Sequence, residues 1–264
     1  MTYDLDQPPP TPNLRGHVTV RPTPEDLLDS LGADFLLHAL NCVRQFGSFH
    51  IALSGGSTPM PFYKALMVDP NFRGMPWDRT HLWIVDERRV PEDDERSNFG
   101  HIRDILVDHS DIPRANVHPV RAQDDDADVR YERELVASLA ARGAGLDRLD
   151  FVLLGMGNDG HTASLFPRSP AVTERRRLVR INAGPAVTPP ERVTMTFPVI
   201  NAARFIAVLV TGESKRGTLA RVAKAADAVE DLPILGVVPL GGTAPGAGVL
   251  RWYLDTAACP PVEA

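Results

Sequence analysis

The sequence predicts an α/β fold: a mainly parallel β-sheet with helices on both faces. Three observations predict it. Short apolar runs such as Phe49–Leu53, His81–Val85, Phe151–Leu154 and Phe205–Thr211 recur along the chain. Segments of helical periodicity separate them, and strands alternating with helices build parallel sheets. Three of the runs pass directly into polar loops, at Leu53–Pro59, Val85–Val90 and Leu153–Pro167. Open α/β sheets gather ligands at the carboxyl ends of strands, so these loops are expected together on one edge of one sheet.

The elements follow in order. Pro8, Pro9, Pro10 and Pro12 among polar residues mark residues 1–16 as a disordered tail. Val18–Arg21 reads as a short strand. Thr23, Pro24 and Asp26 start a helix over Pro24–Gln45, with Leu28, Leu31, Phe35, Ala39 and Cys42 on its apolar face and Gly47 as its stop. After the strand Phe49–Leu53, Thr58 is expected to cap a helix from Pro59 that buries Phe62, Tyr63, Leu66 and Met67. Asp69–Asp78 is a loop, His81–Val85 a strand, Ser97–Val107 a helix and Val117–Pro119 a short extended piece. Asp124–Asp126 open the helix Ala127–Arg142, where acids suit the positive end of the dipole; that explains them without a metal. Strands are expected at Phe151–Leu154, Leu178–Ile181, Arg192–Phe197, Phe205–Thr211, Ile234–Val238 and Arg251–Leu254. Gly212-Glu213-Ser214-Lys215 turns the chain into a helix reaching about Ala226, and residues 259–264 fray. No repeat or Gly/Ser linker divides the chain, which predicts one domain over 17–258, with a smaller lobe in its middle.

The 264 residues suffice for a sizeable core, and 43% hydrophobic with 23% charged residues is ordinary for a soluble globular protein. A net charge of −6 without a basic face or tail argues against a nucleic-acid partner. Arg175-Arg176-Arg177 reads as a solvated face. No apolar run approaches a membrane span, and the amino terminus has no basic-then-apolar signal pattern. Cys42 and Cys259 form neither a disulfide framework nor a zinc pattern, and read as reduced thiols of a cytoplasmic protein.

The chemistry is expected in Gly155-Met156-Gly157-Asn158-Asp159-Gly160-His161. Its spelling matches a dinucleotide fingerprint, but the acid required about twenty residues later is missing, with Arg180 near the next strand. Asp159 and His161 instead form an acid–base pair at the end of a strand. No second His lies at metal-ligand spacing, and no Gly-x-Ser-x-Gly elbow exists. Gly55-Gly56-Ser57-Thr58 lacks the Walker lysine, yet successive N–H groups at a helix amino end cradle an anion. Lys215 falls in a first helical turn, where the dipole disfavours a cation; an anion between it and the cradle explains the placement. Arg192 is a further candidate anion contact.

Together these stretches resemble the 6-phosphogluconolactonase family. The matching motifs are Leu-Ser-Gly-Gly-Ser-Thr-Pro (53–59), Asp-Glu-Arg-Arg-Val-Pro (86–91) with Arg-Ser-Asn (96–98), the 155–167 stretch, Pro-Pro-Glu-Arg-Val-Thr-Met-Thr-Phe-Pro (189–198) and Gly-Glu-Ser-Lys-Arg (212–216). They run in family order over roughly residues 20–258. Arg168 departs from the pattern by standing where Gly is expected, and 186–188 replaces a typically Lys- and Pro-rich approach to Arg192. The resemblance implies a modified Rossmann-like fold and hydrolysis of a sugar-phosphate lactone, 6-phospho-D-glucono-1,5-lactone, without cofactor or metal. It implies His161 as the base that activates water, with Asp159 or Asp86 orienting it. Arg88 then faces the oxyanion or a sugar hydroxyl, and the phosphate sits on Gly55, Gly56, Ser57 and Thr58 with Arg192 and Lys215. A monomer or weak homo-oligomer is expected. Two alternatives stand against this reading. An aminosugar-phosphate deaminase-isomerase would carry a Glu five residues beyond the His, where this chain has Phe166. A sugar-phosphate sensor domain would carry a helix-turn-helix ahead of it, where the sequence has about twenty Pro-rich residues.

Overall fold

Thr23 Oγ1 accepts the Asp26 N–H at 3.1 Å, and Pro24 opens the first helical turn. Gly47 closes the helix at φ 78°, in the left-handed region where a side chain is costly. Helix α1 (Pro24–Phe46) buries Leu27, Leu31, Phe35, Ala39 and Cys42; Leu27 rather than Leu28 heads the stripe. The structure, a computed structural model, describes residues 11–261 apart from 144, 186, 243 and 245. Of the tail expected over 1–16, residues 1–10 lie outside the described residues. Leu14 is buried, and the Arg15 carbonyl accepts the Trp252 indole N–H. At the other end Cys259 is buried, and 262–264 lie outside the described residues.

The main sheet holds β1 (His17–Arg21), β2 (Phe49–Leu53), β3 (Thr80–Ile84), β5 (Val117–His118), β6 (Phe151–Leu154), β9 (Phe205–Val210) and β10 (Val249–Asp255). Their order is β1-β10-β9-β6-β2-β3-β5, and every pair is parallel. Helices α2 (Met60–Val68), α3 (Asn98–Ile105), α4 (Ala127–Ala140), α5 (Phe197–Ala202) and α6 (Arg216–Lys224) complete the α/β architecture. All residues of β2, β6 and β9 are buried, as strands covered on both faces must be. The Phe35 ring meets Phe49, Phe62 and Phe151 edge-on at 5.5, 5.7 and 4.9 Å, which locks α1 and α2 onto the sheet. Each such buried ring contributes about 1.5–3 kcal/mol. From β2 the chain builds outward through β3 to β5. It then returns to the other side of β2 and builds through β6 and β9 to β10. The order therefore reverses between β2 and β6, and a crevice opens there at the strands' carboxyl ends.

A second sheet corrects the expectation of a loop after Val85. β4 (Asp86–Arg88), β8 (Glu191–Met195) and β7 (Val179–Ala183) pair antiparallel in the order β4-β8-β7. Val85 joins the sheets. Its N–H donates to the Leu53 carbonyl at 3.0 Å, and its carbonyl accepts the Met195 N–H at 2.8 Å. The strand expected over Arg192–Phe197 stops at Met195, because Phe197-Pro198 opens α5. The strand expected at Ile234–Val238 is a 3-10 turn over Pro233–Gly236. Pro233 has no N–H for a ladder, and Gly236 lies under the Phe197 ring, 2.4 Å from where a Cβ would stand. Thr58 does not cap α2, which starts after Pro59 with no side-chain cap. Lys215 closes a 3-10 turn over Glu213–Lys215, and α6 starts one residue later. Arg177 leaves the expected solvated face to pair with Glu132 of α4 at 2.8 Å, which ties the small sheet to the helix layer. Among the described residues no helix is long and apolar enough to cross a membrane.

At the strands' amino ends, His50 and His81 are register partners, and their rings stack at 4.1 Å. His118 stacks on Trp83 at 3.7 Å, meets His81 Nδ1 at 3.2 Å and donates to Glu134 at 2.6 Å. The Trp83 indole can only donate, so His50 Nδ1 accepts from it at 3.3 Å. Burial pushes the His50 imidazole down to about 2 and His81 to about 4, and lowers His118 against the pull of Glu134. The folded state keeps these rings neutral while the unfolded chain protonates them below 6.5, the unperturbed value. Their stabilisation is therefore complete above pH 6.5 and is lost as pH falls toward 4. Melting temperature should be level just above pH 6.5 and fall below it, and His81→Gln should flatten that fall. An identical acid slope in both proteins, followed by thermal melts across this range, would show that the stack does not carry the effect.

Candidate functional site

A cavity of about 270 Å³ occupies the crevice between β2 and β6. Its walls are Ser54–Pro59 after β2, Asp86 and Arg88 of β4, Asn98 at the start of α3, Gly155–Gly157 after β6, His161–Ala163 and Lys215. The three loops expected on one edge do converge there.

Asp159 Oδ1 accepts from His161 Nδ1 at 2.6 Å and from the His161 backbone N–H at 3.1 Å. A carboxylate only accepts, so the Nδ1–H tautomer follows and Nε2 carries the lone pair. No described residue bonds Nε2. Burial raises the Asp159 carboxyl, but its hydrogen bonds from His161 outweigh it and hold Asp159 below the usual range. Gly157 makes the pair fit. A Cβ there would stand 2.2 Å from His161 Nδ1 and 2.7 Å from Asp159 Oδ1. The Gly157 N–H donates to the His161 carbonyl at 2.8 Å, and Thr162 Oγ1 to the Gly155 carbonyl at 2.8 Å, which closes the turn on itself. Phe166 packs against the imidazole with centroids 5.1 Å apart. Arg168, the residue at the expected Gly position, takes φ 60°. Its N–H goes to the Glu230 carbonyl and its guanidinium to Asp231 at 2.7 Å. The loop keeps the left-handed backbone and offsets its cost with those contacts.

Across the cavity, Ser54 Oγ donates to the Leu153 carbonyl at 2.8 Å and Tyr63 Oη to the Ser54 carbonyl at 2.7 Å. These bonds fix the loop of Gly55, Gly56, Ser57 and Thr58 against β6. Gly56 turns at φ 88°, and a side chain at Gly55 would strike Asn98. Pro59 and Pro61 bring no N–H to the start of α2, so the backbone N–H groups on this wall of the cavity are those of Gly56, Ser57 and Thr58. Lys215 lines the same space; burial lowers its ammonium, while nearby Asp159 acts the other way. Arg88 anchors through Nη1 on the Arg96 carbonyl at 2.7 Å.

The small sheet delivers Asp86 and Arg88. Residues two apart on a strand share a face, so these two reach the cavity while Glu87 points behind. Glu87 accepts the N–H groups of Arg88, Asn98 and Phe99 at 2.8, 2.7 and 2.7 Å and holds the start of α3. Burial raises its carboxyl against those bonds. Asp86 does not orient His161: its Oδ2 accepts from Ser164 Oγ at 2.6 Å. Arg192 is the register partner of Arg88 and is not on the cavity wall. Its guanidinium turns to the Pro189 and Glu191 carbonyls, and burial and Arg88 both lower it. Sequence reasoning missed Asn98 and Ser164, although both lie inside the quoted motifs. Among the described residues no group of three or more His, Cys, Asp or Glu side chains is placed to hold a metal. The arrangement brings the Asp159–His161 pair, the loop of Gly56, Ser57 and Thr58, Arg88 and Lys215 around one cavity.

A family model described as glucosamine-6-phosphate isomerases/6-phosphogluconolactonase matches residues 22–245. The human GDH/6PGL endoplasmic bifunctional protein is 40% identical over 239 residues. That match covers 88% of this chain but only 28% of that protein, so the chain spans under a third of its length. The 6-phosphogluconolactonase of Nostoc sp. is 39% identical over 231 residues, covering 85% of this chain and 90% of that one. The crystal structure of 6-phosphogluconolactonase from Thermotoga maritima superposes with a TM-score of 0.75 at 27% identity, covering 90% of this chain and 99% of that one.

The Gly157 contact yields a direct expectation. Gly157→Ala should fold with a melting temperature near that of the parent yet lose about 100-fold in turnover, because the imidazole must move by an ångström or so. Unimpaired turnover would mean that the Asp159–His161 geometry does not matter.

Proposed function

The chain belongs to the glucosamine-6-phosphate isomerase/6-phosphogluconolactonase family, and from that premise we propose that it hydrolyses 6-phospho-D-glucono-1,5-lactone to 6-phosphogluconate in the oxidative pentose phosphate pathway. The observation that carries this reading is the 2.6 Å bond from His161 Nδ1 to Asp159. It leaves Nε2 as a base in the cavity that also holds the anion cradle. Nε2 removes a proton from water as the water oxygen attacks the lactone carbonyl. Asp159 stabilises the imidazolium that forms, and Arg88 supplies a charged donor to the oxyanion. Collapse breaks the bond from the carbonyl carbon to the ring oxygen, and the imidazolium returns its proton to that oxygen. A lactone is an activated ester, so the sequence needs no covalent nucleophile, cofactor or metal.

The phosphate sits on the N–H groups of Gly56, Ser57 and Thr58 with Lys215, which sets the distance from lactone to base. Arg192, behind Arg88, adds positive field rather than contact. The deaminase reading is disfavoured by Phe166, which packs on the imidazole where a proton relay would stand. The proposal extends to a monomer or weak homo-oligomer and to cytoplasmic action, the latter supported by two buried free thiols, Cys42 and Cys259.

The test follows the loss of freshly made lactone above its spontaneous rate. The phosphorylated lactone should be turned over well and unphosphorylated gluconolactone poorly. Lys215→Ala should raise KM for the former about ten- to a hundredfold, the worth of a charge-assisted contact, and barely change the latter. Glucosamine 6-phosphate should release no ammonia. Ammonia release at a rate matching lactone loss would replace this reading with the deaminase.

A further inference from the structure

Asp86 has a carboxylate on the cavity wall and a partner that the mechanism above does not use. Ser164 Oγ lies 2.6 Å from Asp86 Oδ2, and Ser164 is 1% exposed. Among the described residues nothing bonds the other oxygen, Oδ1. His161 is already taken by Asp159, so Asp86 is free to meet substrate.

Ser164 is itself held from both sides. Its N–H donates to Thr194 Oγ1 at 3.1 Å, and its carbonyl accepts the Asn182 amide at 2.8 Å. The Thr194 hydroxyl spends its proton on the Met195 carbonyl, so it can only accept from Ser164. Asp86 is pinned along its backbone as well. It pairs with Thr194 in register, and its carbonyl accepts the Asn98 amide at 2.6 Å. The loop that carries His161 and the strand that carries Asp86 are thus joined through one hydroxyl. That hydroxyl can only donate to the carboxylate. The opposite oxygen is then left as an oriented acceptor toward the cavity, where it selects a donor. An anionic phosphate is refused there, and a neutral sugar hydroxyl is accepted.

We infer that Ser164 is a positioning residue that fixes Asp86 so that its free oxygen accepts one ring hydroxyl of the substrate. The inference rests on the lactonase reading. It makes the small sheet a specificity element, set apart from the phosphate cradle and from the base.

The test is a double-mutant cycle with substrate analogues. Wild type, Ser164→Ala, Asp86→Asn and the double variant are assayed on the parent phosphorylated lactone and on its 2-, 3- and 4-deoxy forms, with folding checked by thermal melts. Ser164→Ala should raise KM about tenfold while kcat stays within about threefold, the signature of lost ground-state binding. The double variant should be no worse than Asp86→Asn alone, since Ser164 acts through Asp86. On one deoxy lactone the wild type should already show the raised KM, and Ser164→Ala should add nothing. Additive losses, or an equal cost of Ser164→Ala on all four lactones, would overturn the inference while wild-type turnover stands. Absent wild-type turnover on the parent lactone would overturn the lactonase reading, and this inference with it.

Discussion

Between β2 and β6, parallel neighbours at the centre of the main sheet, the order of the strands reverses. Strands on one side continue to β3 and β5, those on the other to β9 and β10. The loops leaving β2 and β6 must part, and a crevice results at their carboxyl ends. The proposed site depends on that parting. The cradle of Gly56, Ser57 and Thr58 comes from one side and the Asp159–His161 pair from the other. Ser54 Oγ, bound to the Leu153 carbonyl at 2.8 Å, sets the distance between them. Hydrophobic burial supplies the rigidity. β2 and β6 are the most enclosed strands, and the rings of Phe35, Phe49 and Phe151 brace them from one face.

The small sheet adds what the crevice alone lacks. Val85 hands the chain from one sheet to the other through two backbone bonds. The pleat then sorts three consecutive residues: Asp86 and Arg88 face the cavity, and Glu87 caps α3. Division of labour among the carboxylates follows from their partners. Asp159 holds His161, Asp86 is held by Ser164, and Glu87 is spent on backbone N–H groups. Chemically identical groups in one neighbourhood thereby take three roles.

Much of this was legible in the sequence, and the reasons are local. Thr23-Pro24 and Gly47 bound α1 because capping and left-handed turns are properties of single residues. Asp159 and His161 sit two apart in a glycine turn, so their pairing needs no tertiary information. What escaped was tertiary. Asp86–Arg88 looks like a loop because a three-residue strand has no periodicity of its own; it exists only through β8. Ile234–Val238 has strand composition, yet Pro233 and the Phe197 ring over Gly236 force a turn. Arg192 reads as an anion ligand from its motif, but its side chain turns to backbone carbonyls beside Arg88. Ser164 passes for a small filler until Asp86, 78 positions earlier in the chain, is placed against it. Arg168 departs from the expected Gly in identity but not in backbone, since the loop holds it at φ 60°.

In the reaction proposed above, His161 Nε2 removes the proton from the attacking water. A pH–rate profile of the wild type and His161→Asn, with the spontaneous hydrolysis subtracted, tests it most directly. Wild-type activity should fall on the acid side, as a base that must be unprotonated requires. His161→Asn should lose about 10²–10⁴-fold in kcat, keep its KM within a small factor and lose that acid limb. A His161→Asn protein with near-parental kcat and an unchanged acid limb would contradict it.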